Sequence, residues 1–360
     1  MGIWVAAGGT GGHVYPALAI VERLDAGTPV LWIGGEGGVE QALVDRAGIP
    51  FVAIPAGGLH GVGIVRMVRN TVKLAAGTLK AWQLIGQYKP QAMLTTGGFV
   101  STPVAVACWL RRVPILLYLP DIEPGLAVKF VAKFAAQIGV TTEDSVKYFP
   151  AHKVIVTGYP TRSGLAQTDR ASALRRFELV DDRKTLLVFG GSKGARSINR
   201  AVEAVVDQLL AKYQVIHISG SADAAEVLAK HAVLPDALKR HYHVFEYVHD
   251  MGLALAAADL VVSRAGASIL GEYPLFGLPA ILIPYPYAWR YQKVNADYLV
   301  TRGAAVRLDD ETLSETLLPT IERLLSDETQ LRALSAAARS LAQPDPALKL
   351  AQTLRTLAAA

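Results

Sequence analysis

The stretch Gly8-Gly9-Thr10-Gly11-Gly12-His13-Val14-Tyr15-Pro16 constrains the fold more than any other part of the chain. Before it, Ile3-Trp4-Val5-Ala6-Ala7 has the character of a buried parallel strand. After it, Ala17, Leu18, Ile20, Val21 and Leu24 recur at helical spacing, with Glu22 and Arg23 left for the polar side. The segment therefore reads as strand, loop, helix. Four glycines allow a tight turn and close approach to a ligand, and the free N–H groups of a helix start favour an anion. His13 falls in the first helical turn, a good place for a proton acceptor facing that ligand. The loop is not the dinucleotide fingerprint, because Val14 stands where the third glycine belongs, and no Lys-Ser/Thr pair makes it a P-loop. A diphosphate-bearing ligand other than NAD or ATP is expected.

The opening repeats itself halfway along. Thr185-Leu186-Leu187-Val188-Phe189 reads as a strand, Gly190-Gly191-Ser192-Lys193-Gly194-Ala195-Arg196 as a loop, and Ile198 to Leu210 as a helix. Further strands are expected at 30–35, 51–55, 92–96, 113–118 and 153–157. In the second half they fall at 214–219, near 244–247, at 260–262 and at 280–284. Strands alternating with helices over 360 residues predict an α/β protein of two Rossmann-like, doubly wound parallel-sheet domains facing across a cleft. The turn-rich Gly158-Tyr159-Pro160-Thr161-Arg162 marks the boundary, giving domains 1–158 and 159–342. The end of the chain is helical and broken at Pro344 and Pro346, so 343–360 is expected as a helix packing back toward the first domain.

Several other strand ends carry polar or small residues. Thr96-Gly97-Gly98-Phe99-Val100-Ser101 is a second glycine pair in the first half, suggesting two loops on one rim. Asp121 and Glu123 follow the strand ending at Tyr118. In the second half, Ser263-Arg264-Ala265-Gly266-Ala267-Ser268-Ile269-Leu270-Gly271-Glu272 opens a helix with small residues whose N–H groups can hold a diphosphate, and Glu272 can bind a ribose diol. Pro284-Tyr285-Pro286 and Arg290 to Ala296, with Gln292, offer polar groups for a sugar.

The single cysteine, Cys108, suits a reducing compartment. No basic and apolar leader opens the chain and no run nears the roughly 20 apolar residues that span a bilayer. The net charge is +5, and no acid lies between Asp45 and Asp121, whereas Arg46, Arg66, Arg69, Lys73, Lys80, Lys89, Arg111 and Arg112 do. Within that gap Val65, Val68, Val72, Ala75, Leu79 and Trp82 form a helical stripe, flanked by Arg66, Arg69, Lys73 and Lys80. An apolar stripe with cations beside it suits a helix lying on an anionic membrane. The competing reading is a surface helix whose stripe packs on its own sheet.

Together the four glycine and small-residue motifs, at 8–16, 96–101, 190–196 and 263–272, resemble the signatures of the MurG family, peptidoglycan glycosyltransferases of family 28 with the GT-B fold. The resemblance runs along the whole chain in order. It implies an inverting hexosyltransferase moving GlcNAc from UDP-GlcNAc to the MurNAc 4-hydroxyl of polyprenyl-diphosphate-linked lipid I, giving lipid II. It also implies a peripheral position on the cytoplasmic face of the plasma membrane, no metal or other cofactor, and no nucleic-acid partner. The chain has no Asp-x-Asp motif, in agreement. By position, the first domain would take the acceptor and the membrane, and the second UDP. Thr10, Gly11 and Gly12, with Gly97 and Gly98, would face the acceptor diphosphate and transferred sugar. Arg162 and Ser192 would meet donor phosphate, Val248 the uracil, Ala267 to Glu272 diphosphate and ribose, and Gln292 the GlcNAc hydroxyls. His13 would be the base or an acceptor-orienting group.

Two positions depart from the family. Where it reads His-Glu-Gln-Asn, this chain has Tyr118-Leu119-Pro120-Asp121; Tyr291 stands where the family has Gln or His. Either Asp121 or Glu123 supplies the missing carboxylate, or the acceptor site is built for another lipid-linked sugar. A UDP-sugar epimerase and a catalytically silent UDP-sugar sensor are the alternatives from other classes.

Overall fold

The computed structural model describes residues 2–58, 63–191, 194–287 and 291–360. Two compact units emerge, Met1–Arg162 with Gln343–Ala360, and Ser163–Ala342. The first holds seven parallel strands: β1 (Ile3–Ala7), β2 (Val30–Gly35), β3 (Phe51–Ile54), β4 (Ala92–Gly97), β5 (Ile115–Leu119), β6 (Gln137–Val140) and β7 (Val154–Val156). Their spatial order is β3-β2-β1-β4-β5-β6-β7. The second holds six parallel strands: β8 (Thr185–Phe189), β9 (Gln214–Ile218), β10 (Tyr242–Phe245), β11 (Leu260–Ser263), β12 (Ala280–Leu282) and β13 (Ala305–Arg307). Their order is β10-β9-β8-β11-β12-β13. Both sheets are doubly wound, as expected from the alternation of strands and helices.

Two strands escape a reading of the sequence. β6 and β13, Gln-Ile-Gly-Val and Ala-Val-Arg, are too short to show a period of their own. β10 begins at Tyr242, two residues before the expected start, because Tyr242 pairs with Val215 of β9 and is buried.

Central β1 is buried along its whole length, with Trp4 and Ala6 in the core on one face and Ile3, Val5 and Ala7 on the other. That is why it reads as an unbroken apolar run rather than an alternation. The last helix, Pro346–Ala359, lays Leu350, Ala351 and Leu354 into the second of these cores. Asp345 caps it by accepting from the Leu348 N–H, and Pro346 supplies the fixed φ of a first helical position. Asp345 also pairs with Arg23, and Arg355 with Asp25. Pro346 therefore starts a helix.

Topology sets where each unit can bind. Strand order reverses between β1 and β4 in the first unit and between β8 and β11 in the second. In open parallel sheets the crevice beyond the carboxyl ends of such a strand pair is the ligand position. All four glycine and small-residue loops leave those four strand ends.

Candidate active site

In the first unit, the loop after β1 leads into the helix Gly11–Val21, with Thr10 as its extended N-cap. Gly11, Gly12 and His13 form the first turn; the His13 N–H donates 3.1 Å to the Thr10 carbonyl, and the Gly11 and Gly12 N–H groups lack carbonyl partners within the helix. Gly9 adopts φ +85°, a conformation that favours glycine, and its N–H donates 3.1 Å to Glu40 Oε2. The other Glu40 oxygen accepts 2.9 Å from the Gly35 N–H at the end of β2. Glu40 is only 2% exposed. A buried carboxylate thus binds the two neighbouring loops together from beneath. Sequence reasoning passed over it, although Gly34-Gly35 and Gly38 bracket it closely enough that a β-carbon on Gly8 or Gly38 would strike its carboxylate.

The second glycine loop meets the first, as expected of two loops on one rim. The β1–β4 register shifts at Ala6/Ala7, so that Ala6 faces Thr95 and Ala7 faces Gly97. This bulge sets Thr96 apart, and its Oγ1 donates a 2.6 Å hydrogen bond to the His13 carbonyl. Gly97 and Gly98 take φ +113° and +93°. A β-carbon on Gly97 would come within 3.1 Å of the His13 ring.

His13 is half-buried, with Nδ1 3.2 Å from Thr10 Oγ1. Loss of water lowers its pKa below the usual 6.5, while the Asp121 carboxylate and a hydrogen bond to the Gly8 carbonyl work in the opposite direction. The ring is therefore neutral at pH 7, and a neutral imidazole keeps one nitrogen able to accept a proton. Asp121 is the carboxylate that acts on His13; Glu123 lies two residues on in the same loop, also half-buried.

The departures around Asp121 have structural reasons. Tyr118 is fully buried, its hydroxyl 2.7 Å from Thr141 Oγ1 and 3.1 Å from the Gly158 carbonyl. Burial pushes its pKa well above 10, so it is a neutral strut. Leu119 is buried, and Thr141 Oγ1 lies 3.0 and 2.8 Å from the Leu119 and Pro120 carbonyls. Three positions of the altered loop are thus taken up by the core, and the fourth, Asp121, carries its charge.

In the second unit, the loops after β8 and β11 occupy the equivalent place. Ser192, and with it Lys193, lies outside the described residues, as does Arg290. Gly194 packs so that a β-carbon would lie 2.2 Å from the Ser219 carbonyl oxygen. Ala267 is buried and Ser268 precedes the helix Ile269–Phe276. Ile269 and Leu270 face the core, whereas Gly271 and Glu272 are half-buried in the first turn. Asn295, fully buried, donates 3.2 Å to the Ala265 carbonyl and pins that loop. Val248 is buried beyond the carboxyl end of β10. Gln292 Oε1 accepts 2.8 Å from the Tyr285 N–H, leaving its amide N–H groups for other partners. Arg162 belongs to the first unit, where it is exposed with its guanidinium 5.4 Å from the Tyr15 ring centre.

Arg264 has a role that small-residue spacing does not reveal. It donates 2.5 Å to Asp310, 2.8 Å to Ser197 Oγ and 3.2 Å to the Ile283 carbonyl. Ser197 in turn donates 2.7 Å to Asp310. Loops beyond β8, β11, β12 and β13 are thereby tied at one end of the sheet. An Arg with a neighbouring Asp gap of 46 residues carries no local signal.

The helix Ile64–Tyr88 presents the stripe outward. Val65 is 85% exposed, Val72 64% and Leu79 60%, while Ala81, Leu84 and Ile85 face the core. Gly77 lets this helix approach within a β-carbon's clash of the Pro55 carbonyl. Arg66, Arg69 and Lys80 are exposed and Lys73 half-buried. Trp82 is half-buried, with the Arg111 guanidinium 4.0 Å over its ring. The reading in which the stripe packs on its own sheet is not what the first unit shows.

Comparisons with known proteins agree with this geometry. Residues 3–140 match the model of the glycosyltransferase family 28 N-terminal domain, and residues 185–351 that of the C-terminal domain. A UDP-N-acetylglucosamine--N-acetylmuramyl-(pentapeptide) pyrophosphoryl-undecaprenol N-acetylglucosamine transferase of Roseiflexus sp. (strain RS-1) is 43% identical, over 98% of this chain and 94% of the relative. The crystal structure of Acinetobacter baumannii MurG superposes with a TM-score of 0.78 at 26% identity, covering 98% of this chain and 99% of that one. A UDP-GlcNAc 2-epimerase from Neisseria meningitidis, solved with UDP-GlcNAc, shares the fold at a TM-score of 0.69 and 13% identity, covering 99% and 100% of the two chains. Matched in both halves and along nearly its whole length, the chain belongs to glycosyltransferase family 28 and has its GT-B architecture.

Proposed function

We propose that this protein transfers GlcNAc from UDP-GlcNAc to the MurNAc 4-hydroxyl of undecaprenyl-diphosphate-linked lipid I, with inversion, forming lipid II for peptidoglycan. The observation that carries this reading is end-to-end similarity to the Roseiflexus transferase of that activity. The first unit takes the acceptor: its diphosphate meets the N–H groups of Gly11 and Gly12, with Thr10, Gly97 and Gly98 around the transferred sugar. Neutral His13 accepts the proton of the attacking hydroxyl, and Asp121 stabilises the imidazolium that results. Glu123 is left without a proton-transfer role. The second unit holds UDP on the helix start at Ser268 to Glu272, with Val248 at the uracil, Ser192 at phosphate and Gln292 at the sugar; Arg162, which belongs to the first unit, falls outside this set. Charge growing on the departing UDP is met by those N–H groups, so the reading needs no metal.

The same reading places the protein on the cytoplasmic face of the plasma membrane. No described helix is long and apolar enough to cross a membrane. In support of surface attachment, the exposed Val65, Val68, Val72 and Leu79 run beside Arg66, Arg69, Lys73 and Lys80. Exposed Trp109, Leu126 and Phe130 continue the apolar surface on neighbouring helices, with the Phe134 ring tilted against Trp109 at 5.0 Å and edge-on to Phe130 at 5.2 Å. Trp82, half-buried, would support this surface from below.

The test is transfer of labelled sugar from UDP-GlcNAc to a short-chain lipid I analogue. Product is expected. UDP-GlcNAc binding without product would redirect the reading to another lipid-linked acceptor, which the altered loop at Tyr118 to Asp121 favours as the second choice. Epimerised UDP-sugar in the absence of acceptor would replace it with an epimerase.

A further inference from the structure

The second unit carries a cavity of about 710 Å³ that the proposed reaction does not use. It lies where β9 and β10 begin and where the chain enters β8, since Gln214, Tyr242 and Arg183 line it. The glycine and small-residue loops leave the opposite strand ends. With five residues in β9 at about 3.3 Å each, roughly 16 Å of sheet separates the two places.

Three permanent cations, Arg183, Lys239 and Arg240, converge on this cavity with three imidazoles, His231, His241 and His243. Two carboxylates, Glu178 and Asp182, also line it. Among the described residues, neither carboxylate forms an ion pair with any of the three cations. The cations are instead directed at neutral acceptors: Arg183 at the Leu210 carbonyl, Lys239 at the Ala232 carbonyl, and Arg240 at His241 Nε2, at 2.9, 3.1 and 3.2 Å. His243 Nε2 is buried with no hydrogen-bond partner.

The imidazoles feel that unbalanced charge. Burial is the first cause that lowers all three pKa values. Lys239 adds to it at His231, Arg183 and Arg240 at His241, and the other two imidazoles at His243. Asp182 at His241, Glu178 at His243 and the Tyr242 carbonyl at His231 oppose it without reversing it. Three cations against two carboxylates leave the lining with an excess of positive charge, and beside imidazoles kept neutral mainly by burial it complements a ligand rich in acceptor oxygens and negative charge.

We propose that this cavity is a second binding site, for a soluble phosphate-type oxyanion carrying two or more negative charges. Its guanidinium N–H groups bind the oxygens, and His243 Nε2 gains a partner. Proton uptake by the imidazoles accompanies binding, because the anion adds negative charge beside them.

Histidine Cε1 signals of the full-length protein, labelled with carbon-13, report on this directly. The probe is inorganic diphosphate near neutral pH, with His231, His241 and His243 assigned through single His→Gln variants. Expected is a saturable shift of all three signals toward the imidazolium position, while buried His217 stays in place. In Arg183→Gln/Arg240→Gln, saturation should need about tenfold more diphosphate or greater. An unchanged His217 signal certifies the fold of that variant; if it moves, Lys239→Gln alone serves, with a smaller weakening expected. Signals that do not shift, that fail to saturate, or that respond equally in the charge-removed variants would overturn the proposal.

Discussion

Gly98 packs backbone to backbone against Gly8, so closely that a β-carbon on Gly98 would lie 2.3 Å from the Gly8 carbonyl oxygen. The two glycine loops of the first unit are one structure. Gly98→Ala must both enter a positive-φ conformation and push Gly8 away, and Gly8 carries the carbonyl that His13 bonds. A misplacement of this kind is expected to lower kcat/KM for sugar transfer on the order of 100-fold. Gly9→Ala, also at positive φ but with open space around the new atom, should instead cost about 1 kcal/mol of stability. Steady-state kinetics and thermal melts of both variants check the contrast.

Glu40 holds Gly9 and Gly35 with one carboxylate. In Glu40→Gln one accepting oxygen becomes an N–H2 group facing a backbone N–H. The expected loss is about 1–3 kcal/mol, the usual cost of an unmatched buried donor, read by urea unfolding. If the first unit takes the acceptor, as proposed, KM for the lipid acceptor should rise more than KM for UDP-GlcNAc.

As the proposed base, His13 should set the acid limb of the pH profile. Its lowered pKa means that it is neutral, and active as a base, above a midpoint below 6.5. Asp121 pulls that value upward, so Asp121→Asn should move the acid limb to still lower pH while reducing the maximal rate. His13→Ala should lose about 100- to 10,000-fold in kcat, the range for removal of a general base. A profile of kcat/KM from acid to neutral pH, run on all three proteins, checks both signs.

His217 links stability to pH in the second unit. It is fully buried, Nε2 lies 3.0 Å from Asn199 Oδ1 and Nδ1 2.6 Å from the Tyr242 hydroxyl. Asn199 Nδ2 already donates to the Ser219 carbonyl and to Asp223, so Oδ1 accepts from Nε2–H and the Tyr242 hydroxyl donates to Nδ1. Burial lowers the His217 pKa to about 4. The unfolded chain, near 6.5, binds the proton first, so this contribution is whole above 6.5 and is lost as pH falls toward 4. Roughly 3 kcal/mol is at stake. His217→Gln should flatten the fall of unfolding free energy across that window; an unchanged slope would show that other groups carry it.

Charge on the helix Ile64–Tyr88 should govern membrane attachment. Each cation near an anionic surface contributes about 1 kcal/mol, so replacing Arg66, Arg69, Lys73 and Lys80 by Gln should weaken vesicle binding on the order of 100- to 1,000-fold. Sedimentation with anionic vesicles at low salt measures this. Binding to neutral vesicles, which depends on Val65, Val68, Val72 and Leu79, should change much less.

Much of the architecture is legible in single stretches because local chemistry forces it. Ile3 to Ala7 can only be a strand buried on both faces, and Thr185 to Phe189 repeats it before another glycine loop. The loop residues around His13 are likewise visible, since four glycines within five positions have few other uses. β6 and β13 are invisible for the opposite reason: Gln-Ile-Gly-Val and Ala-Val-Arg are short and broken by a polar or small residue, so no apolar run marks them and only their neighbours in the sheet make them strands.

What the chain determines by itself is the alternation of strand and helix, the glycine-lined strand ends, and an apolar stripe flanked by cations, whose outward direction the structure supplied. These follow from backbone conformation and periodicity, which adjacent residues encode. Tertiary structure decided the rest. It set Glu40 beneath Gly9, Thr96 against the His13 carbonyl, Asp121 within reach of the imidazole, and Arg264 with Asp310 and Ser197. Those partners are separated by 31, 83, 108 and 46 or 67 residues. No local pattern records such a pairing, because it exists only once parallel strands are ordered side by side and their carboxyl ends converge.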